Sequence, residues 1–278
     1  MLQTGDYSEP QLADVWRRAL DPDGVGLPIA IATDLSTFTG EPVDTVMQRM
    51  AHGMSDFKEQ WERSNIDVGN PESVAAFYRD QVVEAYELAD WHCGRATGQL
   101  PLNYARAATF ARQIGAARIL DFGCGIGSGS LALCATGAEV HSADIAQNLL
   151  RLTGHRLTRR SYTPVLIDLN GPTKPRRNYY DLITCFDVLE HVPDQLATVR
   201  ELAGYLRNGG RLIANFAEDS RHPERPMHIS SAGNWIRMIR KTALCPDWSA
   251  SEQLDLPVVI RKPLARLQNA AALLLHGE

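Results

Sequence analysis

Apolar residues recur along this chain with two different periods, and the change from one to the other divides it. From Pro10 to Leu20 and from Asp44 to Trp61 they fall every third or fourth position, the spacing of a helix that buries one face. A longer run of the same kind extends from Pro71 to Trp91, with the proline near its start, where a helix tolerates it. Gly24, Gly26, Pro28, Gly40 and Pro42 lie between the first two runs and read as loop punctuation. From Arg118 onward short strand-prone runs alternate with helical ones, the pattern of an α/β domain with a mostly parallel sheet. The expected organisation is a helical N-terminal cap over 1–105 and an α/β domain over 106–278.

The first strand-prone run carries the strongest chemical signal. Ile119, Leu120 and Phe122 are apolar, Asp121 stands near the strand end, and Gly123, Gly125 and Gly127 follow before the apolar run Leu131 to Ala135. A chain that turns sharply from strand to helix needs positive φ, and a backbone without Cβ lets a ligand approach closely. Ser128 and Ser130 are read as oxygens for the open amides of the helix that follows. Dinucleotide sites use G-x-G-x-x-G, but the third glycine position counted from Gly123 is Ser128. Asp121 would repel a pyrophosphate and could help fix an ammonium group, so the balance tips towards a cationic ligand.

This stretch resembles the first motif of the class I S-adenosylmethionine-dependent methyltransferases, and the resemblance runs from about Arg118 to Glu218. Glu139 to Asp144 is similar to the family's second strand, whose terminal acid accepts hydrogen bonds from the ribose. Val165 to Leu169 resembles the third, whose acid, here Asp168, reaches the adenine amino group. Tyr180 to Asp187 with Val188 to Val192 resembles the fourth strand and its loop, and Arg207 to Asn215 the turn into the fifth. The resemblance implies a doubly wound, Rossmann-like methyltransferase sheet that binds S-adenosylmethionine. By position it assigns Asp121, Gly123, Cys124, Gly125, Gly127, Asp144, Ile145, Asp168, Leu169 and Phe186 to the cofactor site. It also implies sixth and seventh strands in antiparallel arrangement, of which Leu256 to Arg261 supplies one.

Composition narrows the partners. The 278 residues are 44% hydrophobic and 22% charged, the balance of a globular protein. A formal net charge of -5 argues against nucleic acid, and no apolar run approaches a membrane span, so the expected setting is cytoplasmic. The five scattered cysteines lack C-x-x-C spacing and suggest neither a disulfide framework nor zinc.

Aromatic residues concentrate in the cap, where a ring face beside a sulfonium gains cation–π attraction. Tyr78, Tyr86, His92 and Tyr104 are the leading candidates, Tyr86 and Tyr104 for the cofactor and Tyr78 for catalysis. The basic positions Arg151, His155, Arg156, Arg159 and Arg160, with Lys174, Arg176 and Arg177, are read as a solvated helix face and a charged loop. Asp187, Glu190 and His191 share the loop after the fourth strand, at the sheet edge where such folds bind ligands. His191 is the first candidate general base and His228 the second, since imidazole titrates near the useful pH. Glu190 and His191 alone are too few ligands for a metal, and none is expected. Pro263 to His276 has apolar residues at helical spacing and is expected to pack on the domain or on a second subunit.

Together these readings predict transfer of a methyl group from S-adenosylmethionine to an oxygen or nitrogen of a small-molecule substrate. Two alternatives stand beside it. One is a cyclase or lyase that uses the same cofactor and releases methylthioadenosine; the other is a catalytically silent binding protein. The first differs in its product, and the intact glycines, Asp121 and Asp144 weigh against the second.

Overall fold

The computed structural model describes residues 8–79, 82–216, 223, 225–230, 235–242, 244–254 and 259–263. Helices come first: α1 (Glu9–Leu20), α2 (Leu27–Thr39), α3 (Val43–Arg63), α4 (Pro71–Arg79), α5 (Val83–His92) and α6 (Asn103–Gln113). Strands and helices then alternate through β1 (Arg118–Phe122), α7 (Ser128–Cys134), β2 (Glu139–Asp144), α8 (Gln147–Arg159), β3 (Val165–Asp168) and β4 (Tyr180–Cys185). A 3-10 turn at Leu189–His191 leads to α9 (Gln195–Tyr205), β5 (Leu206–Ala214), α10 (Trp235–Ile239), β6 (Cys245–Pro246), α11 (Trp248–Leu254) and β7 (Val259–Arg261).

The strands form one seven-stranded sheet in the order β3-β2-β1-β4-β5-β7-β6. β1 to β5 pair in parallel, and β7 runs antiparallel to both β5 and β6. The strand expected within Leu256 to Arg261 is therefore β7. Its partner β6 has two residues, too short to leave a periodic trace in the sequence. Alternate residues of neighbouring strands feed two cores, as a strand covered on both faces requires. Ile119, Leu182, Ile213 and Val259 join one cluster, and Leu120, Ile183, Leu212 and Ile260 the other. The strand order reverses between β1 and β4, and a crevice at the carboxyl ends of the strands belongs at such a switch point. Among the described residues no helix is long and apolar enough to cross a membrane.

The helical segment departs from expectation in ways that local chemistry explains. The run from Pro71 to Trp91 is two helices because its apolar residues serve two cores. Val74, Phe77 and Tyr78 of α4 pack with Phe57 and Trp61, whereas Ala85, Tyr86 and Ala89 of α5 join the core shared with β1. The supposed loop between the first two helical runs contains α2, for which Gly26 is the N-cap, Pro28 lies in the first turn and Gly40 is a left-handed C-cap. The same residues that punctuate loops are thus start and stop signals here. The C-terminal run from residue 264 lies outside the described residues.

The basic face of α8 is solvated only in part: Arg151 and Arg159 are exposed, whereas Arg156 is buried. Arg156, with no exposed surface, places Nε 2.9 Å from Asp34 Oδ2 on α2. Arg160 reaches the same oxygen at 2.9 Å, and Arg159 Nε lies 3.3 Å from Asp34 Oδ1. Burial alone would push the Asp34 carboxyl up, yet Arg156 and Arg160 hold it below the usual carboxylate range. Arg156 also donates through Nη1 to the Ile126 carbonyl at 2.6 Å and to Ser128 Oγ at 2.9 Å. One guanidinium thus joins the N-terminal helices to the glycine turn. Removing a single partner from a buried ion cluster leaves uncompensated charge. Asp34→Ala should therefore cost about 3–5 kcal/mol in chemical denaturation; a loss below about 1 kcal/mol, the scale of a surface pair, would contradict the clamp.

Candidate functional site

Where β1 ends, the chain enters the glycine turn. Gly123 has φ +73°, and a Cβ there would stand 2.1 Å from Val188 Cγ2. Gly125 has φ +51°, with Leu88 Cδ1 3.0 Å from where its Cβ would be. A Cβ at Gly123 would overlap Val188, one at Gly125 would press on Leu88, and both positive φ values strain any L side chain. Gly127 is the left-handed N-cap of α7, and no side chain caps that helix. The two serines expected to do so are used elsewhere. Ser130 Oγ donates to Asp121 Oδ2 at 2.7 Å, and Ser128 Oγ contacts His92 and Arg156. Asp121 itself is 3% exposed and also accepts from Thr184 Oγ1 at 2.8 Å, with burial raising its pKa. Both its oxygens are engaged within the protein, beneath the turn.

Asp144 closes β2 and ties the turn to the next helix. Its Oδ2 accepts from Gly125 N at 2.8 Å and its Oδ1 from Ala146 N at 2.9 Å. Burial pushes its pKa up to about 6 against the pull of these amides. A cavity of about 440 Å³ opens here between the sheet edge and the helical segment. Gly123, Cys124, Gly125, Asp144, Ile145, Leu169 and Phe186 line its sheet side, and Tyr78, His92 and Tyr104 its helical side. Most of the residues singled out in the sequence thus meet around one space. Asp168 lies outside the lining, its carboxylate accepting from Gln147 Nε2 at 2.7 Å and Asn170 N at 2.8 Å. Tyr86 also stands apart, its hydroxyl between Glu41 and Arg49 and its ring under the Arg49 guanidinium.

Tyr78 and His191 meet at the cavity wall. The Tyr78 hydroxyl is 3.0 Å from His191 Nδ1, which is also 3.1 Å from the Met227 carbonyl. A carbonyl can only accept, so Nδ1 carries the proton and Nε2 keeps its lone pair. Burial, then the neighbouring His228, lowers His191 to about 3, so the ring is neutral at pH 7. The His228 ring lies 5.0 Å away, nearly perpendicular. The His228 segment is held by Glu190, whose carbonyl accepts from Ile229 N at 2.9 Å and Ser230 N at 3.1 Å. Glu190 is 4% exposed, with burial and then Asp187 raising its carboxyl to about 7. Glu190, His191 and His228 each bring one ligand atom to within 4.8 Å of the others. The fold thus adds a third donor to a pair that is too small in sequence.

Sequence reasoning placed Asp187 in the ligand-binding loop without giving it a role, counted Trp91 only among the aromatic residues of the cap, and missed Glu84 and Leu88. Asp187 adopts φ +54°, which a non-glycine residue holds only when its surroundings fix it. Asn215 does so, accepting from Asp187 N at 2.7 Å and donating to Asp187 Oδ1 at 2.6 Å, while the Tyr104 hydroxyl bonds the same carboxylate. Glu84, Leu88, Trp91 and His92 form one stripe of α5 that faces the cavity. A glutamate in an otherwise apolar stripe is a signal that could have been found. Burial raises the Glu84 pKa well above that of an ordinary carboxylate, and its Oε2 has no hydrogen-bond partner among the described residues.

Residues 94–252 match the model of a methyltransferase domain. Over 122 residues the chain is 28% identical to the ubiquinone biosynthesis O-methyltransferase of Nitrosomonas europaea, covering 42% of this chain and 50% of that protein. Over 154 residues it is 32% identical to the protein of the same name from Xanthomonas campestris pv. campestris, covering 52% and 64%. The chain thus spans between half and two thirds of the length of these two relatives. The O-methyltransferase of a trans-AT PKS multienzyme of Brevibacillus brevis, solved with S-adenosyl-L-homocysteine, superposes with a TM-score of 0.42 at 18% identity, over 55% of this chain and 58% of that one. The domain match takes in more than half of the 278 residues, including the glycine turn, Asp144 and the β4 loop, and the chain belongs to the class I S-adenosylmethionine-dependent methyltransferases.

Proposed function

We propose that this chain transfers the methyl group of S-adenosylmethionine to an oxygen or nitrogen of a small molecule. The observation that carries the reading is a single cavity joining the glycine turn and Asp144 to the Tyr78–His191 pair. The donor set suits the cofactor. The Asp144 carboxylate sits where ribose hydroxyls can donate to it, Gly123 and Gly125 leave backbone open to a close approach, and Ile145, Leu169 and Phe186 offer apolar surface to a purine. When bound, S-adenosylmethionine supplies a methyl group activated by the sulfonium. Ring faces of Tyr104 and Phe186, whose centroids are 5.0 Å apart, suit a positive centre beside them.

The chain's own part in the reaction is positioning first and proton removal second. The helical wall of α4, α5 and α6 encloses the acceptor and keeps water from the reacting centre. Fixing two reactants in line replaces a large entropic cost of encounter. His191 Nε2 is the lone pair available to take a proton from the acceptor hydroxyl or amine. Its low pKa makes it a weak base, so its effect is modest, and Glu190 stands near enough to stabilise the imidazolium that forms. Tyr78 and His228 orient that ring. The oxygen reading of the acceptor draws support from the O-methyltransferase names of the relatives above.

The direct test is incubation with S-adenosylmethionine and a panel of phenols, alcohols and amines, followed by mass spectrometry. S-adenosylhomocysteine should appear together with a methylated acceptor. Methylthioadenosine formed without any acceptor would instead establish a cyclase or lyase. His191→Ala should lower kcat by about a hundredfold and leave cofactor affinity close to wild type; unchanged turnover would remove the base. Because the Asp144 pKa is raised to about 6, the carboxylate is ionised above that value and protonated below it. Affinity for S-adenosylhomocysteine should be flat above about pH 7 and fall as the pH drops through about 6, a dependence that Asp144→Asn removes. A flat profile in the wild type would contradict the ribose role.

A further inference from the structure

A second cavity, of about 550 Å³, opens where α1 and α6 meet α7 and α8, and it shares no lining residue with the first. Four arginines line it: Arg18 on α1, Arg112 on α6, Arg159 at the end of α8, and Arg160, the C-cap of that helix. Among the described residues its wall carries two carboxylates, Asp14 and Asp23. Asp21, close by in sequence, spends both oxygens on the Val25 and Gly26 amides. Such a concentration of arginine runs against the formal net charge of -5 of the whole chain.

Counterions within the protein do not cancel this charge. Buried Asp34 stands behind the wall, and its one carboxylate is shared by Arg156, Arg159 and Arg160. Arg18 pairs with Asp14 at 2.8 Å across one turn of α1. Arg112 gives its Nη2 to a neutral acceptor, the Ala135 carbonyl, at 3.2 Å. In and directly behind the wall, five guanidiniums thus stand against the three carboxylates of Asp14, Asp23 and Asp34. Like charges held this close repel, and an anion among them relieves the repulsion.

The arginines differ in freedom in a way that suits binding. Arg160 is already fixed, since its Nη2 donates to the Leu20 carbonyl at 2.7 Å and to Asp34 at 2.9 Å, and its side chain is 13% exposed. A guanidinium held before the ligand arrives loses little freedom on binding. Arg18, Arg112 and Arg159 are exposed, so their forks can be presented to the oxygens of a phosphate. Between the arginines the wall offers carbon surface from Val15, Ala19 and Ala108. The volume is that of a small-molecule site, more than a bare phosphate fills.

We propose that this cavity binds a small organic phosphate ester, with its phosphate among Arg18, Arg112, Arg159 and Arg160 and its carbon part against Val15, Ala19 and Ala108. The ligand is neither methyl donor nor acceptor, because its cavity is separate from theirs, and the site is independent of the proposed methyl transfer. By joining α1 and α6 to the end of α8, the ligand braces the contact that Asp34 and Arg156 clamp.

The test is calorimetry and thermal unfolding of the full chain with phenyl phosphate and with inorganic phosphate, at one ionic strength. Phenyl phosphate should bind saturably at one site and raise Tm with its concentration, and inorganic phosphate should bind more weakly. A chain carrying both Arg18→Gln and Arg112→Gln keeps the Asp34 cluster. It should lose about tenfold or more in affinity for phenyl phosphate, yet unfold without ligand at the wild-type temperature, because exposed pairs contribute little. Its affinity for S-adenosylhomocysteine should match wild type. Absence of saturable binding in wild type would overturn the proposal, as would wild-type affinity in the variant. Equal affinity for inorganic phosphate would overturn the organic part, and displacement of phenyl phosphate by S-adenosylhomocysteine would place it in the other cavity and overturn the site.

Discussion

The buried cluster of Arg156 and Asp34 is the constraint on which the rest of this structure depends. A guanidinium with no exposed surface is tolerated only where its charge is met and most of its donors are bonded. Here Asp34 on α2 meets the charge and accepts from Nε, the Ile126 carbonyl and Ser128 hydroxyl of the glycine turn accept from Nη1, and Nη2 has no hydrogen-bond partner among the described residues. The pair therefore cannot form unless the N-terminal helices are docked on the α/β sheet with the turn in its native shape. One core cluster contains residues from α1, α2, α3 and α5 together with Ile119 and Val140 of the sheet, so packing and charge impose the same arrangement. Both faces of the cavity are positioned by this docking.

That arrangement gives the cavity opposed chemical ends. Burial raises the pKa values of Asp144, Glu84, Asp187 and Glu190, and holds His92 and His191 neutral. Groups whose charged forms are disfavoured when the site is open become better partners when a complementary charge arrives. On the proposed function, the cofactor's sulfonium and ammonium would meet these carboxyl groups and an acceptor proton would meet His191. The strained backbone of Asp187 lies in the same wall, held by Asn215 across the adjacent strand ends.

Much of this was legible in the sequence, and what was not has physical causes. The glycine turn, Asp144 and the β4 loop depend on local pattern, because a strand, a tight turn and a helix start are specified by neighbouring residues. The sheet side of the cavity follows from them. The helical wall does not, because it is assembled from residues far apart: Tyr78 meets His191 across 113 positions, and Arg156 meets Asp34 across 122. A basic helix face reads as solvated until a buried acid is known to oppose it. Ser128 and Ser130 read as helix caps by position, but the buried partners Arg156 and Asp121 hold them more strongly than open amides do. Tyr86 was chosen by nearness in sequence, and helix geometry turned it towards Glu41 instead.

The most direct test of this account is a crystal structure of the chain with S-adenosylhomocysteine. The ribose should lie against Asp144, the homocysteine part over Gly123 and Gly125, and the sulfur should face the space before Tyr78 and His191. A ligand bound elsewhere, or one whose sulfur points away from that pair, would contradict the account.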